Sequence, residues 1–206
     1  MLLASVANIR TQFGFDDMTD INDEIRGALQ AAEPYLSVIL QTSFLFQTSI
    51  DTFFVLNPGH VVQNHCQTEF KLRHGLVGTV LEVATVNSIN QFGTGDVRDI
   101  GAVMALSSER GVLMDYQTWY DRQFVRVTYT SGFMPASSDP AEESYDLLMV
   151  PPWLQEVATQ YAVLQLAGGP SFEQAGITVD RTSLRTQIDA ILSGKRRYAP
   201  VALDPL

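Results

Sequence analysis

Phe124-Val-Arg-Val-Thr-Tyr-Thr-Ser-Gly-Phe133 is the stretch on which the fold turns. Phe124, Arg126, Thr128 and Thr130 fall on one face of an extended chain, and Val125, Val127 and Tyr129 fall on the other. This alternation, in β-branched and aromatic residues, predicts a strand over 123–130 in a sheet with one buried side. Gly132 then supplies a turn. A polar connector over 134–150 follows, with an acidic centre from Asp139 to Glu143. Pro151-Pro152-Trp153 opens a helix, because proline is well suited to the first helical positions. Trp153, Leu154, Val157, Ala158, Tyr161, Ala162 and Leu164 give that helix a broad apolar face up to Ala167, and Gly168-Gly169-Pro170 ends it.

Upstream, Val6, Ile9 and Phe13 have the 3–4 spacing of a short helix over 4–13 that stops at Gly14. Asp16 to Asp20 is rich in capping residues, with Thr19 or Asp20 as N-cap of the next helix. That helix covers about 21–42, on a stripe of Ile21, Ile25, Ala28, Leu29, Ala32, Leu36, Ile39 and Leu40. Pro34 lies inside the stripe, which predicts a kink or break. From Phe44 the period changes. Residues 44–56, 68–72, 76–86, 112–116 and 123–130 read as strands. Asn57-Pro58-Gly59, Arg73-His74-Gly75 and Ser107 to Gly111 read as turns, and 87–98 as a loop. Residues 99–106 fit either a short helix or a strand. A last helix is expected over 180–193 on Leu184, Ile188, Ile191 and Leu192, with Gly194 as its stop. Lys195-Arg196-Arg197 and a proline-bearing segment, Tyr198 to Leu206, complete the chain.

The plan that emerges is α+β. Helices from 1–43 and 134–194 are each too small to bury a core alone, so they are expected to form one small bundle. An antiparallel β region, 44–133, is inserted between them, and 195–206 forms an extended C-terminal tail.

Composition narrows the function classes. The 206 residues are 46% hydrophobic and 17% charged, as in ordinary globular chains. The formal net charge of −10 argues against sequence-independent binding to DNA phosphates, which needs a basic face. A single cysteine, Cys66, excludes an intrachain disulfide and fits a reducing cytoplasm. Met1 to Arg10 lacks the basic lead of a signal peptide, and no apolar run approaches a membrane span.

Catalytic patterns are missing. His60, His65, Cys66, Glu69 and His74 share one window, yet adjacent His65-Cys66 is not a usual ligand pair and neither C-x-x-C nor H-E-x-x-H occurs. Gly93-Thr94-Gly95-Asp96 lacks the Gly-Lys-Ser/Thr ending of a phosphate loop. Asp16, Asp17 and Asp20 read as a solvated capping cluster rather than a cation site. No nucleophile elbow is present. The expectation is a non-enzymatic protein without cofactor or metal. Trp153 and Tyr161 read as core residues or, in the second reading, as interface anchors. Lys195, Arg196 and Arg197 read either as favourable charge at a helix C-terminus or as the start of a docking arm. In the docking reading, Tyr198, Val201, Leu203 and Leu206 order on a partner surface.

Glu109-Arg110-Gly111-Val112-Leu113, then Val125 to Phe133, then Pro151-Pro152-Trp153-Leu154 opening an Ala- and Leu-rich helix, resembles head–tail connector (adaptor) proteins of tailed bacteriophages. Asp16 to Glu24 and Ala31-Ala32-Glu33 are similar to that family as well. The long β region, 44–120, departs from its small members. The resemblance implies a helical bundle with a β insertion, assembled as a ring, commonly twelvefold, beneath the portal in the virion neck. The ring joins capsid to tail or to a stopper protein, and DNA passes through its lumen without sequence-specific contacts. It also implies that Lys195 to Leu206 contacts the portal. Acidic residues are then expected to outnumber basic ones on the lumen wall, where they repel the passing duplex. The alternatives are another neck or tail protein, such as a stopper or tail terminator, and a small-ligand binding module or enzyme.

Overall fold

The computed structural model describes residues 1–15, 21–55, 60–62, 65–86, 97, 104–115, 123–137, 144–167, 169 and 178–195. Among these lie four helices and two small antiparallel sheets, an α+β class. They fall into two units. The first takes in Met1–Leu40 and Phe133–Arg196, and the second takes in Gln41–Gly132.

In the first unit, α1 (Val6–Phe13) ends on Gly14, whose φ of 72° lets its N–H reach the Arg10 carbonyl. α2 (Asn22–Leu40) carries Asp23 and Glu24 in its first turn, the favourable end of the helix dipole. Its buried residues are Ile25, Ala28, Leu29, Ala32, Leu36 and Leu40, the 3–4 stripe expected of an amphipathic helix. Pro34 does not break α2. Buried Ala32 and Leu36 on either side of Pro34 hold the helix through the missing N–H. α3 (Pro152–Leu166) has proline at its first position and buries Leu154, Val157, Ala158, Ala162, Val163 and Leu164. α3 packs against α2 and against α4 (Arg181–Lys195). Asp180 caps α4, its Oδ1 accepting the N–H groups of Thr182 and Ser183 at 3.0 and 3.1 Å.

Two expectations are corrected at this end of the chain. Gly194 does not stop the last helix, and Lys195 is helical rather than the first residue of an extended tail. Glycine in a helix costs only about 1 kcal/mol relative to alanine. The burial of Ile188 and Leu192 in the turns before it offsets that cost.

The second unit contains both sheets. In one, β7 (Gln123–Ser131) is central, between β1 (Gln47–Val55) and β4 (Val77–Val86). The other has the order β2 (His60–Val62), β3 (His65–Lys71), β6 (Val112–Asp115), β5 (Met104–Ser107). The ambiguous 99–106 stretch is thus a strand over its described part, and Ser107 to Gly111 is a hairpin turn. Phe53, Val83, Val125, Val127 and Tyr129 from the first sheet share one core with Phe70 and Leu113 from the second. The alternation read from 123–130 is realised: Val125, Val127 and Tyr129 are buried, and Phe124, Arg126, Thr128 and Thr130 are half-buried.

Arg73-His74-Gly75 is a bend, in keeping with the turn read there, and it joins two sheets. β3 pairs with β2 and β6, whereas β4 pairs with β7, so 72–76 carries the chain from one sheet to the other. Gly132 ends β7 with φ 80° and donates its N–H to Leu76 O at 3.1 Å. A Cβ there would lie 2.6 Å from Leu45 C and 2.7 Å from Phe44 O, so only glycine fits.

Candidate functional site

Among the described residues two hydrogen-bonded nodes of polar side chains join distant parts of the chain, and Thr42, Asp115 and Ser131 are buried polar residues outside them. In the β unit Asp51 is only 1% exposed, on the inward face of β1. Its Oδ2 accepts the Tyr129 hydroxyl at 2.8 Å and the Arg73 backbone N–H at 2.6 Å. Tyr129 Oη in turn accepts the His74 N–H at 3.1 Å. The Arg73 guanidinium lies 3.7 Å from Asp51 Oδ1. The carboxylate therefore pins the crossover segment between the two sheets.

In the helical unit the node is Tyr145. Its ring meets Phe133 edge-on, with centroids 5.9 Å apart. Its N–H donates to Leu2 O, and its hydroxyl donates to Glu33 on α2, which also receives the Met1 amino group. Burial first, and then the bond to Glu33 and its negative charge, push the Tyr145 phenol well above its ordinary range. It stays protonated and tethers the returning chain to α2.

Among the described residues no group of three or more His, Cys, Asp or Glu is placed to hold a metal ion. The side chains of His60, His65 and Cys66 lie outside the described residues, as do Asp16 to Asp20, Asn57 to Gly59 and Gly93 to Asp96. No helix among the described residues is long and apolar enough to cross a membrane.

The expected docking tail is divided by the structure. Lys195 closes α4 with its Nζ 5.1 Å from the centroid of the Trp153 ring, a cation–π pair between α4 and α3. Arg196, Arg197, Tyr198, Val201, Leu203 and Leu206 lie outside the described residues. Trp153 is half-buried, packed under that ammonium rather than in the core. Tyr161 is also half-buried, and stacks on Tyr35 of α2 with centroids 4.3 Å apart.

Two surface features were not foreseen. One is a cleft of about 280 Å³ beside the Tyr35–Tyr161 stack, lined further by Leu164, Arg185, Ile188 and Asp189. It is smaller than the ~300–1,000 Å³ of small-molecule sites. The other is the turn ahead of α3. Asp146 accepts Leu148 N–H through Oδ1 at 3.1 Å and Met149 N–H through its carbonyl at 2.9 Å. Gln155 Nε2 donates back to the carbonyls of Leu147 and Val150 at 2.8 and 2.9 Å. The braced turn holds Leu148 97% exposed, with Met149 and Met134 exposed as well. Only the Asp146-to-Gln155 spacing hints at this in the sequence.

Compared with known proteins, the chain matches no family model and no curated sequence. Its functional reading therefore rests on its own residues and on the resemblance of its layout.

Proposed function

We propose that this chain is a structural head–tail connector of a tailed bacteriophage, not an enzyme. In this reading the helices of the two terminal segments form one bundle that carries the β unit as an insertion. Copies assemble as a ring, of twelve subunits, beneath the portal in the virion neck. The ring joins the capsid to the tail or to a stopper protein and leaves a lumen for DNA. Residues 196–206, which follow α4, dock on the portal.

The observation that carries the reading is where the resembling residues fall. Glu109 to Gly111 form the β5–β6 turn, and Val125 to Ser131 form the central strand. Gly132 and Phe133 mark the exit from the β unit, and Pro152 opens α3. The residues that carry the resemblance thus fall on a turn and the central strand of the β unit, on its exit, and on the start of the helix that follows. A net charge of −10 further suits a wall past which a polyanion slides.

Electron microscopy and native mass spectrometry of the purified chain, alone and mixed with its portal, test the reading. The expected result is a closed ring on the portal, with an acidic lumen. A chain that stays monomeric with the portal present refutes it. Binding to tail proteins without portal binding would reassign the chain to a stopper or tail terminator. Removing residues 196–206 should abolish portal attachment and leave the helices folded; retained attachment refutes the docking role.

A further inference from the structure

We propose that the Leu148 turn of one copy inserts into the Tyr35–Tyr161 cleft of a second copy, giving a head-to-tail contact. The inference rests on the ring reading for closure of the series, but the contact itself stands on the two surfaces.

The knob is a fully exposed leucine on a turn held by hydrogen bonds through Asp146 and Gln155. A side chain presented on a rigid backbone loses little freedom when it is captured, which favours binding. Leu148 and Met149 are exposed apolar neighbours, and exposed Met134 is tied to the same turn by the Asp146 N–H to its carbonyl at 2.8 Å; exposed apolar residues of this kind mark interaction sites when they cluster. The cleft matches it in size. A cavity of roughly 150 Å³ already holds a benzene-sized guest, so about 280 Å³ takes Leu148 with part of Met149. Its walls combine Tyr35, Tyr161, Leu164 and Ile188, which suit the apolar side chains, with the polar Gln165, Arg185 and Asp189.

Charge matches too. Asp146 stands beside the knob, and exposed Arg185 stands at the cleft rim with no ion pair among the described residues. Asp189 lies one turn further along α4, so the approach that pairs Asp146 with Arg185 is selected over its neighbour.

A copy cannot fill its own cleft. The knob precedes Pro152 at the start of α3, and Leu164 lies roughly 18 Å further along that helix at 1.5 Å per residue. A knob and a cleft at opposite ends of one helix are the two halves of a heterologous interface, which repeats until it closes as a ring or runs on as a filament.

The test places photoreactive benzoylphenylalanine at position 148 of the full chain and irradiates it at high protein concentration. The expected product is a covalent dimer whose adduct maps to the Tyr161–Gln165 or Arg185–Asp189 peptide of the second copy. In parallel, Leu148→Asp should weaken self-association on the order of a hundredfold or more. Its circular dichroism should not change, since the position is exposed. Absence of the dimer, or an adduct elsewhere, overturns the inference. If rings form while the adduct maps elsewhere, the knob fails and the connector reading stands. If the adduct maps to the cleft while no ring forms on the portal, the contact stands and the connector reading fails. A monomer without adduct, alone or with portal, sinks both.

Discussion

Replacing Gly132 by alanine tests the account of how the chain leaves the β unit. Two costs are expected. The residue has φ 80°, and a left-handed conformation costs an L-residue roughly 1–2 kcal/mol. The added Cβ would also sit within 3.0 Å of Leu45 C and Phe44 O and on top of the Leu45 carbonyl, a closeness that real Cβ atoms do not show. Those atoms are backbone, so they cannot swing aside as a side chain would. Relieving such overlap typically adds about 1–3 kcal/mol. The sum is about 2–5 kcal/mol, from a total stability of about 5–15 kcal/mol. For a chain of this size the melting temperature falls by roughly 2–4 °C per kcal/mol. The assay is urea and thermal unfolding followed by circular dichroism. Gly27→Ala serves as the opposite control, since Gly27 lies within α2 with nothing inside 4 Å of the added carbon. It should stabilise the chain by up to about 1 kcal/mol. A Gly132→Ala variant that unfolds at the same urea midpoint as the parent would refute the reasoning.

Asp51→Ala should destabilise the β unit by about 2–6 kcal/mol. It strands the Arg73 N–H and the buried Tyr129 hydroxyl, at roughly 1–3 kcal/mol for each unsatisfied donor. Amide exchange should speed up through 72–76, and unchanged exchange there would sink the pinning role. For Tyr145 the folded phenol holds its proton more tightly than the unfolded one, because its range is raised. That contribution is fully present below the unfolded value near 10 and is lost as pH rises above it, where the unfolded chain ionises first. Urea midpoints should therefore fall more steeply between pH 9.5 and about 11 in the parent chain than in Tyr145→Phe; parallel curves would contradict it.

Much of the fold was legible because the informative signals are local. Strand β7 announces itself by strict alternation, and α2 by a long apolar stripe. Turn chemistry at Ser107 to Gly111 needs only neighbouring residues. The rest depends on distant residues. Arg73-His74-Gly75 has the composition of a turn and does bend, but which strands it joins is not in that composition. Its path between sheets is set by Asp51 and Tyr129, 22 and 55 residues away in pairs such as Arg73–Asp51 and His74–Tyr129. Gly194 has the identity of a helix stop, yet the burial of Ile188 and Leu192 carries α4 past it. Pro34 is tolerated for the same reason. The surface features were harder still. Leu148 sits in a stretch whose average is polar and acidic, so it reads as loop. Its exposure depends on a turn closed by Gln155 from the next helix. The cleft is made by three helices and has no counterpart in any one segment. By contrast Trp153 and Tyr161, left between core and interface, prove to be half-buried, with Lys195 over the Trp153 ring and Tyr35 stacked on Tyr161.

The pairing of β1 with β7 has one more consequence. It sets Gln47 opposite Ser131, so the two ends of the β unit meet side by side. Neighbouring residues in such a pair stand only about 4.5–5.5 Å apart. Seen from outside, then, everything from Gln41 to Gly132 begins and ends at one doorway. A segment with that geometry behaves as a cartridge: it can be lengthened, shortened or exchanged for another without moving the chain ends that receive it. The resistance to such exchange lies in the threshold itself, where Gly132 and the Phe44–Leu45 backbone fit together.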